Sequence, residues 1–310
     1  MSRKNICAGK TGLSVLSQAQ APAGSLRELA GRPFSCFTNR NLFDSIYIML
    51  IWKRLRHLLK YRDLFLVFLW RNFSIRYRQA IFGIAWAVLQ PLSMMLLFTF
   101  IFGYALPMKM SDYPAPIFFY SGLLLWSFFA SSLNYSIPIL VQNYNLVTKI
   151  YFPKEILPLA GIAIAFIDFL IASLIFIGLL VFYKINPSIH ALWVLGLLFI
   201  LVVFSTAVCF FLSSLNVFYR DVQLASNFLI QLWFFITPVF YSVERVPPKL
   251  KILLFLNPLT FIFENMRRCV IEARDVVLWQ FLFMLVFVLL ILHLSYRFFI
   301  RTERKFADVI

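Results

Sequence analysis

The chain has 310 residues, 62% of them hydrophobic, 18% aromatic and only 14% charged, with a formal net charge of +16. A soluble domain cannot hide that much apolar surface, and a mean hydropathy of +0.84 indicates a polytopic, all-α integral membrane protein. The basic balance does not indicate nucleic acid: the lysines and arginines stand in short blocks between apolar runs, with no basic soluble domain to hold a duplex, so attraction to membrane lipids is the better account.

Residues 1–48 are polar and lack sustained periodicity, and they read as a disordered cytoplasmic tail or a mis-assigned start, since Met49 opens a more natural beginning. No apolar core followed by a cleavage site marks a signal peptide. Gly9-Lys10-Thr11 imitates a phosphate loop, but that motif needs a glycine where Lys4 stands and a preceding strand, so it is rejected. Cys7, Cys36, Cys209 and Cys269 have no paired spacing, and neither a metal site nor a disulfide framework follows.

Residues 49–83 form an interfacial region rich in lysine and arginine. Within it, positions 66, 69, 70, 73, 77, 80 and 81 make an apolar face at helical spacing, opposite Asn72, Arg76, Arg78 and Gln79. This predicts an amphipathic helix in the headgroup layer, with the N-terminus cytoplasmic by the positive-inside rule. Six spans are then expected within 84–300: about 84–106 with Gln90-Pro91 inside it, 115–141 bent at Pro138, 156–183, 191–215, 224–242 and 276–300. A span of about 23 residues reaches roughly 35 Å, enough to cross a hydrocarbon core. Residues 142–155 and 216–223 are cytoplasmic connections, and 301–310 is a cytoplasmic tail. The run from Ile252 to Phe263 is too short to cross and is broken at Asn257-Pro258, which predicts two re-entrant half-helices dipping into the outer leaflet. The six basic residues of 243–275 pull against that placement, although four acids accompany them.

Asp168 is the sharpest isolated signal, because a carboxylate in mid-span is costly unless it is paired or functional. A proton-coupling role and a structural role, bonded to a neighbouring span, both fit it.

Several stretches together resemble the membrane subunit of polysaccharide ABC exporters, the type-2 permeases for O-antigen, capsule or teichoic acid. They are RDLFLVFLWRNFSIRYRQAIFGIAWAVLQPL (62–92), NLVTKIYFPKEILPLA (145–160), LNVFYRDVQ (215–223), TPVFYS (237–242), LNPLTFIFENMR (256–267) and ERKFADVI (303–310). The resemblance covers roughly 55–310 and implies a homodimer in the bacterial inner membrane, both termini cytoplasmic, working with two copies of an ATP-binding subunit. ATP and magnesium would bind that partner, leaving this chain without a cofactor and without enzymatic activity. The implied substrate is a glycan on a polyprenyl diphosphate lipid.

The resemblance assigns residues 143–155 to the coupling element that docks on the ATPase, with Tyr144, Leu146, Ile150, Tyr151 and Phe152 as apolar anchors and Lys149, Lys154 and Glu155 as a polar rim. Arg71, Arg76 and Arg78 are candidates for guiding the lipid diphosphate, since guanidinium groups bind phosphate bidentately; topological anchoring competes with that role. Trp86, Tyr120, Trp126, Tyr135, Trp233 and Tyr241 are candidate rings of a sugar path, with an interfacial belt or core role as the alternative. Pro258, Glu264, Arg267 and Arg268 belong to an outer gate, the charged three holding it at the interface. With ATP as driver, the structural role is the one expected of Asp168. The alternatives are a type-2 permease for drugs or small lipids and a membrane enzyme acting on lipid-linked sugars. The scattered His57, His190 and His293, and the lack of a spaced carboxylate pair, speak against the enzyme.

Overall fold

Five helices are long and apolar enough to cross a bilayer among the described residues: Gly83–Gly103, Ala115–Ser136, Ile156–Phe182, Ile189–Phe218 and Leu278–Glu303. The computed structural model describes residues 60–78, 82–105, 113–185 and 188–306. The expected tail over 1–48, most of the first outer loop and the last four residues lie outside them.

In chain order the helices are α1 (Arg62–Tyr77), α2 (Trp86–Phe100), α3 (Ala115–Ser136), α4 (Ile139–Gln142), α5 (Tyr144–Lys149), α6 (Ile156–Phe182), α7 (Trp193–Phe218), α8 (Asp221–Ile236), α9 (Pro248–Phe255), α10 (Pro258–Val270) and α11 (Leu278–Glu303). Local chemistry sets several boundaries. Pro138 ends α3 two residues after Ser136, as a missing backbone N–H requires. α6 stops at Tyr183, where Lys184 takes a φ of 55° and the amides of Lys184 and Ile185 bond back to Val181 and Leu180, a left-handed cap made without glycine. α10 starts with Asn257 accepting from the Leu259 amide at 3.1 Å and Pro258 in the first turn.

α3 is the central helix. It lies against α2, α6, α7 and α10, and most of its residues are buried. Its close approach to α6 depends on small residues: a Cβ on Gly161 would come within 2.7 Å of the Ser136 hydroxyl, which itself donates to the Pro158 carbonyl at 2.9 Å. The main core is aromatic, with Phe119, Tyr120, Phe129 and Phe263 fully enclosed. A second cluster joins Phe68, Leu140, Val147, Phe152, Phe299 and Phe306 at the end of the bundle that carries residues 143–155, hereafter the lower end.

The fifth expected span differs from the sequence reading. α8 has 16 residues and ends at Ile236, about 24 Å at helical rise against a core of about 30 Å. Thr237 is already extended, with ψ of 138°, as the residue before a proline prefers. Beyond it, residues 237–240 continue without helix toward the upper end. The two half-helices appear where expected: α9 and α10 meet at Asn257-Pro258, whose side-chain amide donates to the Thr237 hydroxyl at 2.9 Å.

α1 buries a different face from the one read in the sequence. Phe68 and Tyr77 are enclosed, while Leu66, Val67, Trp70 and Ile75 point away from the bundle. Its two ends meet the bundle at different heights, Phe68 against Phe152 before α6 begins and Tyr77 against Asp168 twelve residues into it. The helix therefore leans up the flank of α6.

Candidate functional site

Residues 143–155 are fastened at their base and open at their tip. Arg71 donates to the Asn143 side-chain carbonyl at 2.9 Å, and the Asn143 amide donates to the Ile139 carbonyl at 2.8 Å. α5 follows, and after Lys149 the chain extends, leaving Tyr151 94% exposed beside exposed Tyr144, Lys149 and Ile150. The remaining expected docking residues turn inward. Phe152 is buried with its ring centroid 5.9 Å from that of Phe68, and Leu146 packs on the lower cluster. Glu155 is buried and accepts from the Tyr296 hydroxyl at 3.3 Å. Lys154 gives its amide to the Glu303 carboxylate at 3.3 Å and its ammonium to the Glu303 carbonyl at 3.4 Å, with the Phe306 ring centroid 5.9 Å away. Phe152 and Glu155 are thus buried within the chain: Phe152 binds the loop to α1, and Glu155 and Lys154 bind it to α11. The terminal ERKF stretch carried a signal for this, but its partner across the fold was invisible in the sequence.

The three arginines separate by environment. Arg71 is committed to Asn143, and Arg78 is exposed at the end of α1. Arg76 sits over a ring, its guanidinium carbon 4.2 Å from the Tyr135 centroid and 5.5 Å from that of Tyr77. At the hydroxyl ends of those rings lies Asp168, which accepts from the Tyr77 hydroxyl at 2.5 Å and from the Tyr135 hydroxyl at 3.3 Å. The mid-span carboxylate therefore has its partners, one on α1 and one on α3.

At the opposite end of the bundle the half-helix pair is held by Arg267. This side chain is only 4% exposed and lies against the carbonyls of residues 238 and 239, beyond the end of α8. It donates to Pro238 O at 2.8 Å, Val239 O at 2.6 Å, Phe118 O at 3.4 Å and the Ser121 hydroxyl at 3.3 Å, with its guanidinium carbon 3.9 Å from the Phe118 centroid and Glu264 at 3.8 Å. The interfacial role expected of Arg267 is corrected: it is a buried clasp joining α10, the start of α3 and the end of α8. The backbone beyond α8 supplies bare carbonyls that a buried cation can satisfy at charge-assisted strength. Glu264 also accepts from the Val243 amide at 3.4 Å, Pro258 is buried in the first turn of α10, and Arg268 is half-buried. Gly122 completes the clasp, because a Cβ there would stand 2.5 Å from Val239 O and 2.6 Å from an Arg267 nitrogen. Nearby, Asp275 accepts from Trp193 at 3.2 Å and contacts His190 at 2.6 Å, and the His190 contact holds its carboxyl below the usual range.

The candidate path aromatics divide in the same way. Tyr120 is fully enclosed, donating to the Ala172 carbonyl at 2.8 Å, and Trp126 is buried against Phe129 and Phe234. Within one chain these two lie in the core, the alternative role named for them. Trp233 is half-buried against Phe129 and Phe204, and Tyr241 donates to the Ile236 carbonyl at 2.8 Å. Trp86 is half-exposed on α2, and Tyr135 belongs to the Asp168 cluster.

Bilayer-length helices, a broken half-helix pair at one end and a projecting loop at the other define a multi-pass membrane protein built like a transporter subunit. Residues 63–271 match the ABC-2 type transporter family, and the chain belongs to that family. It is 27% identical over 252 residues to the O-antigen export system permease protein RfbA of Klebsiella pneumoniae, covering 80% of this chain and 95% of that protein. A protein of the same name from Myxococcus xanthus is 27% identical over 221 residues, 71% of this chain and 84% of its own length. The polysialic acid transport protein KpsM of Escherichia coli is 24% identical over 211 residues, 66% of this chain and 79% of its own.

Proposed function

We propose that the chain is the permease subunit of an ABC exporter that moves a polyprenyl-diphosphate-linked, O-antigen-like polysaccharide across the bacterial cytoplasmic membrane. The observation that carries this reading is the near end-to-end match to an O-antigen export permease, 95% of whose length is covered. Two copies of the chain work with two copies of a separate ATP-binding subunit, which holds the ATP and magnesium. The exposed Tyr144, Ile150 and Tyr151 on a loop clamped at both sides suit that partner, because a push on them reaches α6 and α11 together. With α8 and residues 237–240 counted as one crossing, the chain crosses six times and both termini are cytoplasmic.

The diphosphate is guided by Arg76 and Arg78, Arg71 being occupied by Asn143. The re-entrant α9–α10 pair forms the outer gate, held by the Arg267 clasp. Deletion of the gene should remove surface glycan and leave lipid-linked intermediates on the cytoplasmic side, with both effects reversed by a plasmid copy. Undiminished surface glycan in the deletion strain would refute the reading.

A further inference from the structure

We infer that Asp168 is a positioning residue: through the phenols of Tyr77 and Tyr135 it holds the Arg76 guanidinium as a preformed donor for a phosphate group of a lipid diphosphate. This deepens the proposed function and rests on it. Both carboxylate oxygens of Asp168 are in use, one by each phenol, at 2.5 and 3.3 Å. Each bond anchors the hydroxyl end of a ring, and the two rings come from different helices, α1 and α3, while the acid comes from α6. Arg76 packs over Tyr135 at 4.2 Å and stands 5.5 Å from the Tyr77 ring centroid. A guanidinium resting on a ring uses its face, so N–H groups at its edge remain for an anion in the bidentate geometry that phosphate accepts.

Arg76 is the one of the three candidate arginines with such a support. All three side chains are exposed, but Arg71 gives an N–H to Asn143, and no ring supports Arg78 among the described residues. A flexible exposed arginine loses side-chain freedom when it binds, whereas one already held by two rings loses less, which is how preorganisation raises affinity. Depth supports the assignment as well. Asp168 is twelve residues beyond Ile156, roughly 18 Å along α6 from its lower end. A diphosphate leaving the headgroup layer meets a lower dielectric there, where a fixed cation acts more strongly than at the surface. The carboxylate has a cost, since it opposes a nearby anion. Two phenol donors offset part of that charge, and the arginine packs over the face of the Tyr135 ring whose hydroxyl meets the carboxylate.

The test uses the full chain in nanodiscs of zwitterionic lipid, titrated calorimetrically with farnesyl diphosphate, with inorganic pyrophosphate and with farnesol. Farnesyl diphosphate should bind, Arg76→Gln should weaken it about tenfold or more, and Arg71→Gln should leave it within about twofold. Asp168→Asn and Tyr135→Phe should each weaken it several-fold in the native background and have no further effect in the Arg76→Gln background, the non-additivity expected when a residue acts through another. Tyr135→Phe keeps the ring and removes only the hydroxyl, so it carries the test if Asp168→Asn fails to fold. Wild-type affinity in both variants, or an equal loss with and without Arg76, overturns the positioning role. Failure of the wild-type chain to bind either diphosphate removes the cradle together with the diphosphate part of the proposed function. Tighter binding of farnesyl diphosphate than of pyrophosphate assigns the ligand to a lipid headgroup. Equal binding assigns it to the free anion and overturns the lipid part of the inference alone.

Discussion

Adding one methyl group at Gly122 should loosen the clasp that fixes the re-entrant helices. The new Cβ would stand 2.5 Å from Val239 O and 2.6 Å from an Arg267 nitrogen, so backbone and guanidinium must retreat by about 0.8 Å to reach an ordinary carbon–oxygen contact. Such overpacking costs about 1–3 kcal/mol, and loss of the 2.6 Å bond from Arg267 to Val239 O adds about 1.5–3 kcal/mol. Alanine is the better helix former by about 0.5–1 kcal/mol, which offsets part of this. The net expectation for Gly122→Ala is a loss of about 2–5 kcal/mol. Gly178→Ala makes the same chemical change where nothing lies within 4 Å, so only the helix gain of about 0.5–1 kcal/mol remains. Thermal unfolding of the two purified variants in one detergent compares them directly: the Gly122 midpoint should fall by several degrees and the Gly178 midpoint should hold or rise. A Gly122→Ala midpoint at or above the native one would refute the clasp as described.

Three further expectations follow from named contacts. Phe306 is fully buried, edge-on to Phe299 with centroids 5.6 Å apart, so Phe306→Ala should cost about 3–5 kcal/mol, while Phe283→Ala on the exposed side of α11 should cost far less by the same thermal assay. Tyr120→Phe should lower stability by about 0.5–1.5 kcal/mol through the bond to Ala172 and leave export unchanged, whereas Trp86→Ala should leave stability nearly unchanged and lower export, both read from surface glycan and unfolding midpoints. Because its contact with His190 lowers the folded Asp275 pKa, this group contributes stability that is present above the unfolded value of about 3.9 and fades as pH falls through the folded one. The difference in midpoint between the native chain and Asp275→Asn should therefore shrink on acidification from neutral pH, and a difference that grows would contradict the assignment.

The elements legible in the sequence were those set by local chemistry. Apolar runs marked the spans, Pro138 marked the break between α3 and α4, and Asn257-Pro258 marked the joint of the half-helices, because a proline and a capping asparagine act within a few residues of themselves. What escaped depended on partners distant in the chain. Arg267 looked interfacial because sequence does not show that the backbone after Ile236 leaves carbonyls bare some thirty residues earlier. Asp168 was recognised as paired or functional, but the tyrosines that meet it sit 91 and 33 residues away. Helical periodicity likewise found an apolar face on α1 without distinguishing lipid from protein as the surface it meets: Leu66 and Trp70 face outward, and Phe68 and Tyr77 face in. Tyr120 and Trp126 had the composition of a sugar path and the position of a core.

The proposed function is tested most directly by reconstitution. The chain and its ATP-binding subunit would be placed together in proteoliposomes with a fluorescent polyprenyl-diphosphate oligosaccharide, and the fraction reaching the far leaflet followed with and without ATP. The account predicts movement only when both subunits and ATP are present, and its reduction by Arg76→Gln. Equal movement without the ATP-binding subunit, or none when both subunits hydrolyse ATP together, would contradict it.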